Sequence, residues 1–583
     1  MSEETRLERF WKVVGKIRSS LSNFLFLVIL LVISVAIVGS FFGSDLKDPE
    51  GKALVINPQG PIVEQIEGGN DPLTFLLQGQ PQKQLLVNNL LEVLKKAKTD
   101  DRIKFIVLNL DNIYGTGQTV LFDVGQALKE LRQAGKIIIS TGDNYDQSGY
   151  YLASFSNEII INPDGFIFLE GLSRYRTYFK SLLEKLKVSV NLFRVGKYKS
   201  AMEPYIRNDM SEEAKEAAKA YLEVIWDSYK EVVAENRDMQ PDNLQYIADN
   251  SNILIKKEKG NAAAALLKAN LVDKVLNRTQ TREYLQKKIG KSEDELDFNQ
   301  ISGGEYFQVI ASEKEVEKSD NKIAVIVAKG AILDGVQPPG AIGGDSTAKL
   351  LRTAYKDENV KAIVLRVDSG GGSAFASEVI REEVVIAKSK DIKVIASMSN
   401  VAASGGYWIS ASADEIWASH DTITGSIGIF GFLPTFEKTL DKIGVHTDGV
   451  STTKTGTGIN PTQSINPILA RLIQSNIEHG YQRFIKLVAD SRNMTLEEVD
   501  KIAQGRVWAG ETALEIGLID NLGNMQDAID RAAELAELKD YKVTYPSLSS
   551  DWRDQIFNQF FSRVTSILFS DIKKKPLIKK YFE

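Results

Sequence analysis

A chain of 583 residues exceeds what a single hydrophobic core supports and predicts two or more domains. With 71 basic against 77 acidic residues the charge is nearly balanced, which argues against nucleic acid as a partner. There is no cysteine, and the three histidines (His420, His446, His479) have no metal-ligand spacing, so disulfides, thiol catalysis and zinc–thiolate centres are excluded and no metal or cofactor is expected.

In chain order, the first element is a membrane anchor. Residues 1–20 form a basic segment with Arg6, Arg9, Lys12, Lys16 and Arg18. The predicted anchor occupies 21–43, and within it Phe24 to Phe42 carry no charge. At 1.5 Å per residue this run spans about 28 Å, enough for a bilayer core. Asp45, Asp48 and Glu50 follow it. The basic flank stays in the cytoplasm, which places the rest of the chain on the far side of a bacterial inner membrane, in the periplasmic or extracytoplasmic space. The run is long and lacks an Ala-x-Ala pattern before Asp45, which favours an uncleaved anchor over a signal peptide.

Beyond the anchor the chain repeats itself. Lys104-Phe105-Ile106-Val107-Leu108 parallels Lys361-Ala362-Ile363-Val364-Leu365, 257 residues on. The same offset aligns Asp111 with Asp368, Lys136 with Lys393, Ser148-Gly149-Tyr150-Tyr151 with Gly405-Gly406-Tyr407-Trp408, Glu158 with Glu415 and Pro204 with Pro461. One ungapped offset over about a hundred residues marks a duplication. It predicts similar domains at 50–310 and 320–545, joined by a charged connector, Glu313 to Asn321.

In the second copy, Lys322–Ala328, Ala362–Val367 and Ile392–Ser397 read as strands, and Ala374–Lys388 and Pro467–Asp490 as helices. In the first copy Glu212–Arg237, rich in Ala, Glu and Lys, reads as a helix. Such alternation predicts an α/β fold of parallel strands joined by crossover helices.

Ser404, in Asn400-Val401-Ala402-Ala403-Ser404-Gly405-Gly406-Tyr407, falls where the strand after Ile392 gives way to a helical stretch, Tyr407 to Ser412. A serine at such a corner is exposed to substrate, or else it is a cap or a packing residue. Its counterpart in the first copy is Gln147, while the counterpart of Lys199 in the second copy is Gly456. Each half therefore keeps one of the two groups that a serine–lysine pair requires. A lysine serves as base when burial leaves its amine neutral, and it needs no histidine. Asp368-Ser369-Gly370-Gly371-Gly372-Ser373, after a predicted parallel strand, offers turn amides for an oxyanion, or else is a flexible loop.

On these residues the chain resembles the signal peptide peptidase A (protease IV) family in its long tandem-repeat bacterial form. The resemblance is carried by Val195-Gly196-Lys197-Tyr198-Lys199-Ser200-Ala201-Met202-Glu203-Pro204, Ala403-Ser404-Gly405-Gly406-Tyr407-Trp408 and Thr424-Gly425-Ser426-Ile427-Gly428. It implies the fold shared by the Clp protease subunit and the crotonases, in two tandem domains. It further implies Ser404 as nucleophile, Lys199 as base, Ser426 orienting the amine, a homotetramer on the membrane, and released signal peptides as substrates. The family turn usually reads Asn-Ser-Pro-Gly-Gly. Here it is Asp368-Ser369-Gly370-Gly371-Gly372, which leaves the oxyanion amide open between Gly371 and Gly372. Lys197 is the other lysine nearby, but its counterpart Lys454 is also a lysine, and the motif points to Lys199.

Two segments stand apart. Pro72 to Leu77 is apolar and lines a peptide groove, an oligomer contact or the core. In the tail, 546–583, Ile556, Phe560, Val564, Ile567 and Leu568 share a helical face ahead of five lysines between Lys573 and Lys580, suited to a membrane surface, a neighbouring subunit or solvent. The favoured function is a membrane-anchored serine endopeptidase. The competing readings are a crotonase-like acyl-CoA enzyme and a catalytically silent membrane scaffold.

Overall fold

The computed structural model describes residues 46–67, 83–313 and 319–546. The anchor at 21–43, the apolar piece Pro72–Leu77, most of the charged connector and the tail from 547 lie outside the described residues. Among the described residues no helix is long and apolar enough to cross a membrane.

Near-continuous runs of Val, Ile and Ala build two parallel sheets. The first runs Lys274–Val275, Glu158–Ile161, Ile137–Gly142, Phe105–Asn109, Ala53–Ile56, Gln300–Ser302, all parallel. The second runs Asn521–Leu522, Glu415–Ala418, Lys393–Ala403, Val360–Ser369, Lys322–Lys329, Lys542–Thr544, again parallel. The two orders correspond strand for strand. Runs without polar alternation are needed because both faces of each sheet are covered. In the strand Val360–Ser369, Ile363, Leu365 and Val367 enter one buried cluster, while Ala362 and Val364 enter another on the opposite face. Ile106 and Leu108 part from Val107 in the same way in the first sheet.

Buried polar contacts repeat as well. The Tyr150 hydroxyl donates to the Leu271 carbonyl at 2.9 Å, and that of Tyr407 to Leu518 at 2.7 Å. Arg237 pairs with Asp273 and Arg492 with Asp520, and each aspartate also accepts a strand amide, from Ile159 or Ile416, at 2.7 Å.

The strand expected to end at Ser397 continues to Ala403. Ser397, Ser399 and Asn400 interrupt the apolar run, but all three find hydrogen-bond partners in the interior, so the backbone stays extended. At Val401 the strand exchanges its neighbour Glu415–Ala418 for Ile423–Gly425. The helix that follows is Gly405–Ser410, two residues earlier than its apolar residues indicate.

One further pairing matters for function. Ser189–Val195 leaves the first sheet and pairs antiparallel with Ile429–Thr435, from Val195 opposite Ile429 to Ser189 opposite Thr435. This ribbon carries the following residues, Gly196 to Lys199, to the edge of the second sheet.

Candidate active site

Ser404 is the single residue between the strand Lys393–Ala403 and the helix Gly405–Ser410, at φ 54 and ψ −116. A side chain rarely adopts this conformation, and here the surroundings over-determine it. The Ser404 amide donates to the Gly425 carbonyl at 2.8 Å, and the Ser404 carbonyl accepts from the Trp408 amide at 3.0 Å. The sharp turn leaves the hydroxyl half-buried at the sheet edge.

Lys199 arrives from the ribbon with 5 % of its surface exposed. Its Nζ lies 3.0 Å from Ser404 Oγ, 3.0 Å from Ser426 Oγ and 2.7 Å from the Ser426 carbonyl oxygen. Burial pushes the amine down to about 7. A neutral amine has two hydrogens and one lone pair. The two oxygens of Ser426 take the hydrogens, and the lone pair is left facing the Ser404 hydroxyl. Ser426 itself sits at φ 52 and donates its amide to the Arg506 carbonyl at 2.6 Å. Lys197 points elsewhere: it is exposed, and its Nζ lies 4.8 Å from the centre of the Tyr198 ring.

The glycine turn lies directly against the serine. A Cβ on Gly371, at φ +96, would fall 2.8 Å from Ser404 Cβ and 2.6 Å from the Gly405 nitrogen. The two turn amides differ. That of Gly371 donates to Ser369 Oγ at 3.1 Å. Ile332 pairs with the Gly371 carbonyl and the Ser373 amide, which leaves the Gly372 amide without an acceptor among the described residues. The Gly405 amide, first in its helix, also has no acceptor within that helix. In the first half the matching corner is closed: Gln147 Oε1 accepts from the Gly171 amide at 2.9 Å, and its Nε2 donates to the Gly171 carbonyl at 3.3 Å.

Sequence reading passed over the loop Ala503–Arg506. Its Gln504 carbonyl accepts from the Tyr198 amide at 2.9 Å and its Gly505 amide donates to Ile427 at 2.8 Å, so one loop grips both the lysine turn and the Ser426 turn. Gly505, at φ +77, has no room for a side chain, since a Cβ would lie 2.7 Å from the Lys199 nitrogen. A lone glycine in Ala-Gln-Gly-Arg carries no local signal of this contact. Gly505→Ala is expected to displace the amine and lower kcat on the order of a hundredfold, as a misplacement of about 1 Å does. A peptide-hydrolysis assay beside a melting curve checks this, and an unchanged kcat in a folded variant would refute it.

Both halves of the chain are similar to known proteins. The model of Peptidase family S49 matches residues 130–291 and 386–539, one segment in each half. The chain is 41% identical to Protease 4 of Salmonella typhi, over 96% of this chain and 90% of that protein. It is 38% identical to Protease 4 of Haemophilus influenzae, over 97% and 91%. It is 29% identical to the chloroplastic serine protease SPPA of Arabidopsis thaliana, over 82% and 71%. The matched segments hold both halves of the constellation, Lys199 in one and Ser404 in the other, and the chain belongs to Peptidase family S49, whose members are serine peptidases.

Proposed function

We propose that Ser404 and Lys199 are the catalytic dyad of a membrane-anchored endopeptidase that cleaves apolar peptides, released signal peptides among them. The observation that carries this reading is the 3.0 Å approach of a buried, otherwise uncharged-partnered amine to the elbow hydroxyl. The Nζ lone pair takes the Ser404 proton as Oγ bonds to the scissile carbonyl carbon. The carbonyl oxygen becomes an oxyanion facing the Gly372 and Gly405 amides, neither of which donates to an acceptor among the described residues. The ammonium then returns the proton to the departing amine, and water repeats the sequence to free the acyl group. Ser426 keeps the amine aimed throughout. Membership of a peptidase family sets aside acyl-CoA chemistry and an inert scaffold.

The substrate class follows from the family resemblance and from the apolar run at Phe24–Phe42, which as an anchor holds the enzyme where signal peptides are released. The same resemblance supports two tandem domains of the Clp protease and crotonase type and a homotetramer. The offset of 257 supports self-association independently. Residues 172–178 and 446–452 correspond to the two ribbon strands, yet neither is paired as a strand among the described residues, and Tyr175 and Val450 stand fully exposed. One copy's 446–452 against the next copy's 172–178 repeats the ribbon head to tail, the kind of contact from which cyclic oligomers are built.

The test is the pH dependence of hydrolysis of an apolar peptide by the purified full chain. Only the neutral amine accepts the serine proton, so kcat/KM is expected to rise with pH through about 7 and then level off. A profile flat across that range would remove Lys199 from the base role.

A further inference from the structure

The helix Gln118–Gln133 belongs to the first half and has no cap of its own: it begins after Gly117, with no side-chain acceptor from its own N-cap residue. The first-turn amides of a helix need acceptors from outside it. One comes from the serine strand. Asn400 Oδ1 accepts from the Thr119 amide at 3.2 Å, across 281 residues of sequence. Asn400 lies four residues before Ser404, and its Nδ2 faces Asp368 Oδ2 at 3.5 Å. Asp368 in turn accepts the Val401 amide at 3.2 Å and opens the glycine turn. The fit leaves no slack, because a Cβ on Gly117 would fall 2.0 Å from Asn400 Oδ1 and 2.6 Å from its Nδ2. The first half repeats the aspartate contact, with Asp111 accepting the Asn144 amide at 3.2 Å, but not the cap: the counterpart of Asn400 is Asp143, which pairs with Arg278 in its own half.

We propose that Asn400 is a positioning residue, a cap given by the serine strand to the first half's helix, which makes the placement of Ser404 and of the Asp368 turn conditional on that helix being docked. The ribbon brings the amine into the site from the first half, and Asn400 reports the docking of the same half to the hydroxyl. A chain whose halves are not yet together therefore holds neither catalytic group in place, a safeguard suited to a peptidase. The proposal rests on the Ser404–Lys199 reading.

Its test uses the full chain with Asn400→Ala, Gly117→Ala and both together, assayed on an apolar peptide with melting curves alongside. Each single variant is expected to lower kcat about tenfold or more with KM within about twofold, since the groups moved are those of the chemical step. The double variant is expected to be no slower than Asn400→Ala, because both changes break one contact. Asn400→Ala only truncates a half-buried side chain, so it carries the test should Gly117→Ala fail to fold. An unchanged kcat in folded Asn400→Ala, a rise confined to KM, or losses that multiply in the double variant would overturn the proposal. Ser404→Ala and Lys199→Ala run in parallel separate the two readings. If both are inactive while Asn400→Ala matches the parent, only the positioning role falls; if either remains active, the dyad falls first.

Discussion

Lys199→Met and Ser404→Ala are each expected to abolish peptide hydrolysis, with kcat/KM reduced by about 10³-fold or more. On the proposed dyad the two groups act on one proton, so the double variant should be no slower than either single one. The fold should survive both changes. Methionine fills most of the lysine's volume and removes an amine whose burial costs free energy, so Lys199→Met is expected to melt no lower than the parent. The amine is held by Ser426, and burial is what depresses its value. Titration with an excess of substrate, read over hours to catch slow turnover, measures the residual rate. A Lys199→Met enzyme keeping a tenth of the parent's kcat would show that another group removes the serine proton.

The second large effect concerns stability. Arg366, 1 % exposed, is the one cation, among the described residues, in a buried cluster at the junction of the two halves. Its Nε and Nη2 donate to Glu64 Oε1 at 2.9 and 2.6 Å, its Nη1 to Ser397 Oγ at 2.9 Å, and its Nη2 to Asp123 Oδ2 at 3.4 Å. Burial pushes Asp123 up to about 7, against the pull of Arg366. Arg366→Met leaves two buried carboxyls without a counter-charge and is expected to cost about 3–5 kcal/mol. Asp123, already pushed up by burial, then loses the Arg366 charge that holds it down, so the folded variant binds more protons than the unfolded chain. Its stability deficit should therefore widen as pH rises from 5 to 8. Adding Glu64→Gln to Arg366→Met removes one of the stranded charges and should recover part of the loss. Urea unfolding at the two pH values checks both statements. A deficit independent of pH would mean that the arginine acts by packing alone.

The contrast between the two experiments reflects how the site is divided. Lys199 and Ser404 were legible because one offset relates the copies over about a hundred residues and sets Lys199 against Gly456 and Ser404 against Gln147. The corner at Ser404 was legible because an apolar run, small residues and a helical stretch follow in order. Ser426 needed the family motif, since nothing in its own neighbourhood separates it from other serines. Within the glycine turn, the two candidate amides could be told apart only by asking where Ser369 and Ile332 place their hydrogen bonds.

Arg366, Glu64 and Asp123 are ordinary charged residues in the sequence, and a charge inside a strand normally argues for an edge. Their burial is possible only because Arg366 meets two carboxylates of the other half, 302 and 243 residues away in sequence. Gly117, Asn400 and Gly505 belong to the same class. Their roles are distances to atoms far along the chain, and no local pattern encodes a distance of that kind.

By itself the order of residues determined the duplicated α/β plan and the two groups retained in complementary copies, because apolar periodicity and internal repetition are local properties that one strand of text displays. Only the tertiary structure decided that a ribbon crosses between the halves, that the Lys199 amine is buried beside the Ser404 hydroxyl, and that Asn400 of the serine strand accepts a helix amide from the other half. Each of these is an effect of desolvation or close approach, which arises when distant segments exclude water together.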